Sequence, residues 1–149
     1  CFIPNHGCID NAIHSAAGIQ LRQACQTLME KQKMPEPVGQ AKITPGFNLP
    51  AQYVLHTVGP IVDGPLRTSH RRALADCYRA CLAAADAALC RSVAFCCIST
   101  GEFHFPNDLA AQIAVDTVSA WQRDHPQAPS VVFNVFKDED RALYEALLR

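Results

Sequence analysis

Three side chains of metal-binding type lie within the first eight residues of this sequence. Cys1, His6 and Cys8 form the pattern C-x4-H-x-C. Thiolate and imidazole are the ligands that zinc prefers, and three protein ligands leave a fourth position open for water or substrate. Zinc in such a site activates a bound water or polarises a substrate oxygen. The pattern is not that of a standard zinc finger, so the alternative is a loop whose cysteines pack as small apolar groups.

Asp10 follows this cluster by two residues and stands at the start of a predicted helix. Its carboxylate is near enough in sequence to orient a water or a sugar hydroxyl beside the metal. The structural alternative is capping of the helix, because Asp and Asn are favoured at helix N-termini. The two roles are compatible.

Two further groups of candidate residues follow predicted strands. Ser99, Thr100 and Gly101 come after the apolar run SVAFCCI, and Phe136 comes after SVVFNV. Ligands of open α/β sheets bind outside the carboxyl ends of strands. A small glycine-containing turn can bind phosphate through its backbone N–H groups, although an ordinary strand-to-helix connection has the same composition. The nearby Phe103 and Phe105 either pack on the sheet edge or stack on a sugar or base.

Alternating helices and strands position these residues. Apolar spacing predicts helices over residues 9–33, with a break at Gly18, and over 71–89, 108–122 and 138–149. Residues 41–50, 52–60, 92–99 and 130–136 have strand character. This order predicts a three-layer α/β domain with a mostly parallel sheet. The continuous apolar run at 92–99 is typical of a central strand that is covered on both faces.

Length, charge and cysteine usage exclude several classes of protein. A chain of 149 residues has the length of one domain. Its net charge of -1 and the lack of a basic stripe argue against nucleic-acid binding. The eight cysteines fall largely in helix-like and strand-like segments, which favours reduced thiols in a cytoplasmic compartment. We see no membrane span or signal peptide, and we expect a chain that opens on Cys1 to be a piece of a longer one.

Three other groups of polar residues have ordinary structural explanations. His14 and His56 are expected to be hydrogen-bonded histidines of the interior rather than metal ligands. Cys77 and Cys81 share one helix face at i,i+4 spacing, but their alanine-rich surroundings favour the core. Trp121 is expected to serve in packing.

Four segments together resemble the macrodomain family. They are CIDNAIHSAAGIQLRQAC, TPGFNLPAQYVLHTVGP, SVAFCCISTGEFHFPNDLAAQIAVDTV and VVFNVFKDEDRALYEALL, and they cover nearly the whole chain in order. Ordinary macrodomains carry a glycine run where this chain has CFIPNHGC, and that departure resembles the zinc-dependent microbial subclass. The resemblance implies a three-layer α/β/α macrodomain over residues 1–149. Its sheet would be mixed and mostly parallel, and the family's first strands would be absent from this chain.

The resemblance also implies an activity. Members of the subclass are ADP-ribosyl hydrolases, often linked to a sirtuin-type ADP-ribosyltransferase and to a lipoylated carrier protein related to glycine-cleavage H protein. It implies removal of mono-ADP-ribose from a protein side chain, with an Asp or Glu ester as the expected linkage. Zn²⁺ would be held by Cys1, His6 and Cys8, which form the catalytic set together with Asp10. The alternatives are a non-catalytic reader that binds ADP-ribose and a structural zinc beside a passive pocket.

The same resemblance assigns the contacts to ADP-ribose. Ile9, Asp10 and Asn11 would line the first loop, beside the diphosphate and the distal ribose. The second loop would give N–H groups to the diphosphate and an aromatic face to the distal ribose, and it comprises Ser99, Thr100, Gly101, Glu102 and Phe103. Phe136 would stack on the adenine.

Overall fold

The structure is a computed structural model that describes residues 8–149. Its helices and strands follow the predicted order, which confirms the α/β class. They are α1 (Ile9–Ala17), α2 (Ile19–Gln32), β1 (Ala41–Pro45), β2 (Tyr53–Thr57), α3 (Thr68–Ala87), β3 (Ser92–Phe95), α4 (Asn107–Asp124), β4 (Ser130–Phe133) and α5 (Asp138–Leu147). Within this part of the chain, none of the helices combines the length and the apolar character that crossing a lipid bilayer requires.

Gly18 divides the long N-terminal helix into α1 and α2, as its position predicts. Its φ of 87° lies in a region that side-chain-bearing residues rarely adopt. A Cβ at this position would also lie 2.8 Å from the Nδ2 atom of Asn48. The Asn48 N–H donates to the Ala17 carbonyl at 3.3 Å, so the turn between β1 and β2 packs against the end of α1.

The strands form two pairs of different direction. β1 and β2 are antiparallel, with Ala41 opposite Thr57. β3 and β4 are parallel, with Ser92 opposite Ser130 and Phe95 opposite Phe133. Strands of both directions are present, but the described residues form two separate two-stranded sheets rather than the single, mostly parallel sheet that was predicted. The parallel pair places the carboxyl ends of β3 and β4 at the same edge.

The core lies between helices α3, α4 and α5 and one face of the β3–β4 pair. Tyr78 of α3 packs edge-on against Phe95, with ring centroids 5.0 Å apart. Phe133 contacts Tyr144 of α5, with centroids 4.8 Å apart. The small side chains of α4 that face this cluster, among them Ala111 and Ala114, let α3 and α4 approach closely.

The prediction that β3 is covered on both faces was wrong for the part of the chain that the structure describes. Val93 and Phe95 are buried, whereas Ser92 and Ala94 are exposed. The helices cover only the face of Val93 and Phe95, and Val132 on β4 is 56% exposed. An apolar run alone does not distinguish a strand buried on both faces from one with small or polar residues on an open face.

Six of the described cysteines are free thiols, in keeping with the prediction of reduced cysteines: Cys25, Cys77, Cys81, Cys90, Cys96 and Cys97. Cys77 and Cys81 are buried on α3, which confirms their assignment to the core. Burial raises the pKa of the Cys81 thiol to about 12. It also raises the pKa of Cys97 to about 11. These thiols are therefore protonated at neutral pH and poorly nucleophilic.

Candidate active site

The loop from Ser99 to Phe105 lies at the edge where β3 and β4 both end. The register of the pair continues beyond the strands, because the Asn134 N–H donates to the Phe95 carbonyl at 2.7 Å. The residues after each strand therefore emerge at the same edge of the sheet. The structure thus brings the second predicted loop and Phe136 to one end of the molecule, as the sequence predicts.

Backbone hydrogen bonds fold this loop into a compact turn. The Phe105 N–H donates to the Ser99 carbonyl and the His104 N–H donates to the Gly101 carbonyl, each at 3.0 Å. The Thr100 hydroxyl donates to the Cys97 carbonyl at 3.1 Å, so it fastens the loop to the end of β3. These hydrogen bonds fix the conformation of the loop backbone.

Gly101 lies at the exposed tip of this loop. A Cβ added to Gly101 would meet no atom within 4 Å, so the space beside its backbone is open. Glu102 is also exposed, and Phe103 is half-buried. A ligand can therefore approach the backbone at Gly101 closely, which is what binding of a phosphate by N–H groups requires.

The two aromatic residues of the loop have different environments. Phe105 is 1% exposed and belongs to the core. Of its two predicted roles, packing rather than stacking on a ligand is therefore confirmed. Phe103 is half-buried and retains an accessible surface. Phe136 is 99% exposed, and both faces of its ring are available for stacking on a base. Its role toward adenine stays a prediction.

The first predicted loop contributes Cys8 and the start of α1 to the described structure. Cys8 is half-buried and caps α1, with its Sγ atom accepting the Asn11 N–H at 3.4 Å. Helix N-termini favour the thiolate, which is the form of cysteine that binds metals. Ile9 is exposed, and Asp10 and Asn11 are partly exposed in the first turn.

The zinc set itself stays a prediction. Cys1 and His6 lie outside the described residues, so their distances to Cys8 are not defined. Within residues 8–149, no three His, Cys, Asp or Glu side chains are arranged to hold a metal ion. Among the described residues, Cys8 supports the donor set, because its sulfur lies at the N-terminus of a helix.

Asp10 and His14 lie one helical turn apart on α1. The His14 Nε2 atom is 3.6 Å from Asp10 Oδ1. The other ring nitrogen, Nδ1, is buried and has no hydrogen-bond partner among the described residues. His14 is only partly buried and its Nδ1 is unsatisfied, so the prediction of a hydrogen-bonded interior histidine was wrong, and its ring contacts the carboxylate proposed to orient a water or hydroxyl.

His56 connects α1 and α2 to the second strand. Its Nε2 atom lies 2.9 Å from the Thr44 hydroxyl and 3.9 Å from the Cys25 sulfur. Burial and, after it, the nearby His14 lower the pKa of His56, while the Asp10 carboxylate opposes this change. The strand that carries His56 also leads to Gly59, so β2 links the α1 region to the second loop.

Gly59 is a site residue that the sequence reasoning missed. It is buried after β2, and a Cβ there would lie 2.1 Å from the Ser99 Oγ atom. The Val62 N–H donates to the Phe103 carbonyl at 2.8 Å. The Gly-Pro pair that closes the strand was the available signal, since a glycine after a strand often marks close backbone approach.

Comparison with known proteins identifies the family. Residues 1–114 match the Macro domain family. A protein-ADP-ribose hydrolase from Treponema medium is 52% identical over 99% of this chain, which spans 57% of that relative. A probable bifunctional ADP-ribose hydrolase/ADP-ribosyltransferase from Fusarium oxysporum f. sp. cubense is 45% identical over 99% of this chain, which spans 26% of it.

A solved structure has the same fold. A mutant macrodomain of Oceanobacillus iheyensis, solved with ADPR, is 34% identical to this chain. It aligns with a TM-score of 0.89 over 96% of this chain and 77% of its own. The fold, the matched residues and the relatives all agree, and the chain belongs to the Macro domain family.

Proposed function

We propose that this chain is a zinc-dependent hydrolase that removes mono-ADP-ribose from modified protein side chains. The observation that carries the proposal is the 52% identity, over nearly the whole chain, to a relative named protein-ADP-ribose hydrolase. The solved macrodomain with ADPR supports the choice of ligand. The open backbone at Gly101, at the edge where β3 and β4 end, supports a phosphate site in this chain.

Different residues of the chain bind different parts of ADP-ribose. The N–H groups of the Ser99–Phe103 loop bind the diphosphate, which suits their fixed arrangement and the space beside Gly101. Phe103 presents an aromatic surface to the distal ribose, and the exposed Phe136 ring stacks on adenine. The first turn of α1, from Ile9 to Asn11, lies beside the diphosphate and the distal ribose.

Asp10 orients the attacking water or the ribose hydroxyl by accepting a hydrogen bond from it. His14, 3.6 Å from the Asp10 carboxylate, limits the movement of that side chain. Cys1, His6 and Cys8 would hold Zn²⁺, and the described Cys8 fits this role because its sulfur lies at a helix N-terminus. When bound, the ion supplies positive charge beside the bond to be broken. An Asp or Glu ester is the favoured linkage, because a carboxylate is a good leaving group.

The alternative is a reader that binds ADP-ribose without hydrolysing it. The same fold supports both functions, so the activity has to be argued from the site. A ligand set with an open metal position favours catalysis, because binding alone does not need an open metal. A structural zinc that shapes the loop is the third possibility.

Variants of the ligand set separate these three functions. We expect His6→Ala to lose zinc and hydrolysis of an ADP-ribosylated protein while it keeps its affinity for free ADP-ribose. Cys8→Ser should lose zinc and hydrolysis in the same way. Cys90→Ser is the matched control, because it changes a half-buried cysteine that lies just before β3. Turnover at the wild-type rate by metal-free protein would contradict the zinc mechanism. Loss of folding together with activity would favour the structural zinc.

Partners and location follow from the same proposal. The substrate is a mono-ADP-ribosylated protein, with a lipoylated carrier related to glycine-cleavage H protein as the candidate. A sirtuin-type ADP-ribosyltransferase is the expected source of the modification. The name of the Fusarium relative, which joins a hydrolase and a transferase, supports this link. The free thiols of α3, Cys77 and Cys81, are consistent with a cytoplasmic location.

A further inference from the structure

The end of β2 contacts the ligand-binding loop through a residue that lacks a side chain. Gly59 is buried, and a Cβ on it would lie 2.1 Å from Ser99 Oγ and 2.8 Å from the Cγ2 methyl of Ile98. Both distances are shorter than a van der Waals contact allows. Rotating the Ser99 hydroxyl away would relieve only the first of them, because the Ile98 methyl remains. Only glycine fits at position 59 while β3 ends where it does.

Ser99 has an unusual backbone conformation at this contact. Its φ is 65°, in the left-handed region that residues with a side chain seldom occupy. Its Oγ atom is buried and has no hydrogen-bond partner among the described residues. The Ser99 side chain therefore faces Gly59 rather than a ligand. The residue contributes to the loop through its backbone, since its carbonyl accepts the Phe105 N–H.

A second contact joins the same two segments. The Val62 N–H donates to the Phe103 carbonyl at 2.8 Å, and the Val62 side chain is buried. The segment from Gly59 to Val62 thus touches the loop at Ser99 and at Phe103, the first and last residues of the predicted diphosphate site. The residues between them, which carry the open backbone at Gly101, are held from both ends.

We infer that the Gly59–Val62 segment is the element that positions the ligand-binding loop, with Gly59 as a positioning residue for ADP-ribose. The inference rests on the proposed function, because the loop is taken to bind the diphosphate. Binding by backbone N–H groups depends on their prior alignment, and a displacement of about 1 Å in an enzyme site is enough to lower the reaction rate roughly a hundredfold. A methyl group at position 59 would displace Ser99 and so misalign these donors.

The test is a double-mutant cycle in the whole chain. Gly59→Ala is made alone and in a Ser99→Gly background, where the side chain responsible for the closer of the two clashes is absent. Gly64→Ala is the matched control. It strains a residue with φ of 91°, but its Cβ meets no atom within 4 Å, and Gly64 is outside the proposed site. Each variant is measured for ADP-ribose affinity, for the unfolding free energy and for the backbone amide NMR shifts of residues 100–103 without ligand.

We expect Gly59→Ala to shift the amides of residues 100–103 and to weaken ADP-ribose binding by about tenfold or more. The loss should be smaller when Gly59→Ala is introduced into the Ser99→Gly background. Gly64→Ala should lower stability without moving those amides or the affinity. A purely structural role for Gly59 would lower stability alone, so unchanged amides and unchanged affinity in Gly59→Ala would overturn the inference.

Two further outcomes are informative. If Gly59→Ala does not fold, Val62→Pro tests the same inference, because it removes the N–H that donates to the Phe103 carbonyl and keeps an apolar side chain. Unchanged loop amides in folded Val62→Pro would then overturn it. Failure of the wild-type chain to bind ADP-ribose would overturn the proposed function instead, and the amide shifts of the unliganded variants would still decide whether Gly59 positions the loop.

Discussion

The Thr44 hydroxyl and the His56 Nε2 atom lie 2.9 Å apart on one face of the β1–β2 hairpin. Thr44 is opposite Val54 in the register and Lys42 is opposite His56, so the two residues are diagonal neighbours across the pair. Cys25 of α2 covers the ring, with its sulfur 3.9 Å from Nε2. His14 and Asp10 of α1 are the charged neighbours that affect it. Burial and, after it, His14 favour the neutral form of the ring, and Asp10 opposes them.

This environment predicts that acid destabilises the protein through His56. The pKa of His56 is lowered in the folded state, chiefly by burial, from an ordinary value of 6.5. Below about pH 6.5 the unfolded chain therefore binds more protons than the folded one, and the free energy of unfolding falls as the pH is lowered. Denaturant titrations at pH 7.5 and 5.5 measure this slope. We expect it to be reduced in His56→Gln and retained in His104→Asn, a change at an exposed histidine; equal slopes in both variants would contradict the prediction.

The buried carboxylate of Asp140 should contribute to stability by joining two helices. Asp140 is 6% exposed in the first turn of α5, and it accepts a hydrogen bond from the Asn107 Nδ2 atom at the start of α4, at 2.5 Å. We expect Asp140→Ala to lower the free energy of unfolding by about 1–3 kcal/mol, because the Asn107 amide loses its charged acceptor. Asp138→Ala is the control. It removes a carboxylate from the same helical turn, so both variants lose a similar helix-dipole interaction, but Asp138 is exposed. Similar losses in urea denaturation of the two variants would show that the hydrogen bond contributes nothing.

The exposed ring of Phe136 should matter for the ligand and not for folding. Phe136→Ala removes a side chain with almost no packing, so the unfolding free energy should change by less than about 0.5 kcal/mol. Stacking of a base on an aromatic ring contributes about 1–3 kcal/mol, so the Kd for ADP-ribose should rise roughly 5- to 150-fold. Calorimetric titration measures the Kd of Phe136→Ala and of the control Phe47→Ala. Phe47 is a partly exposed phenylalanine in the β1–β2 turn, at the other end of β2 from Gly59. Unaltered affinity in Phe136→Ala would rule out stacking on adenine.

Two leucines of very different exposure test whether burial, rather than apolar character alone, determines the contribution of a side chain to stability. Leu74 of α3 is fully buried, whereas Leu89, just after α3, is 88% exposed. Leu74→Ala should lower the free energy of unfolding by about 2–5 kcal/mol, because it leaves a cavity among α3, α4 and the β3–β4 pair. Leu89→Ala should change it by less than about 0.5 kcal/mol. Thermal and chemical denaturation of both variants check this difference, and a loss below about 1 kcal/mol for Leu74→Ala would mean that the core is not packed as described.

The sequence predicts where the helices and strands of this fold lie better than it predicts which of their faces are buried. The break at Gly18 follows from glycine within an apolar helical pattern, and the order of elements follows from changes in apolar period. The burial of β3 does not follow from the sequence. Its exposed face carries Ser92 and Ala94, whose small side chains do not interrupt the apolar run. Which face a strand buries depends on the elements packed against it, and these are distant in sequence.

The sequence predicts that the candidate loops follow β3 and β4, but it does not predict which residues support them. Residues at the ends of β3 and β4 meet at one edge because parallel strands end together. The backbone conformation of the loop could not be predicted from its sequence. Glycine is the residue expected at a positive φ, which would point to Gly101, yet it is Ser99 and His104 that have positive φ angles. The side chain that excludes a substituent at Gly59 comes from a residue 40 positions later in the chain, and only the tertiary fold brings the two together.

The contact between Gly59 and Ser99 also restricts the routes by which this sequence can diverge. A side chain at position 59 clashes more closely with Ser99 than with Ile98, so position 99 has to become smaller, and the Ile98 methyl has to shift, before position 59 can become larger. Substitutions at the two sites are therefore ordered in evolutionary time, and a comparison of many macrodomains should find side-chain volume at one site inversely related to that at the other.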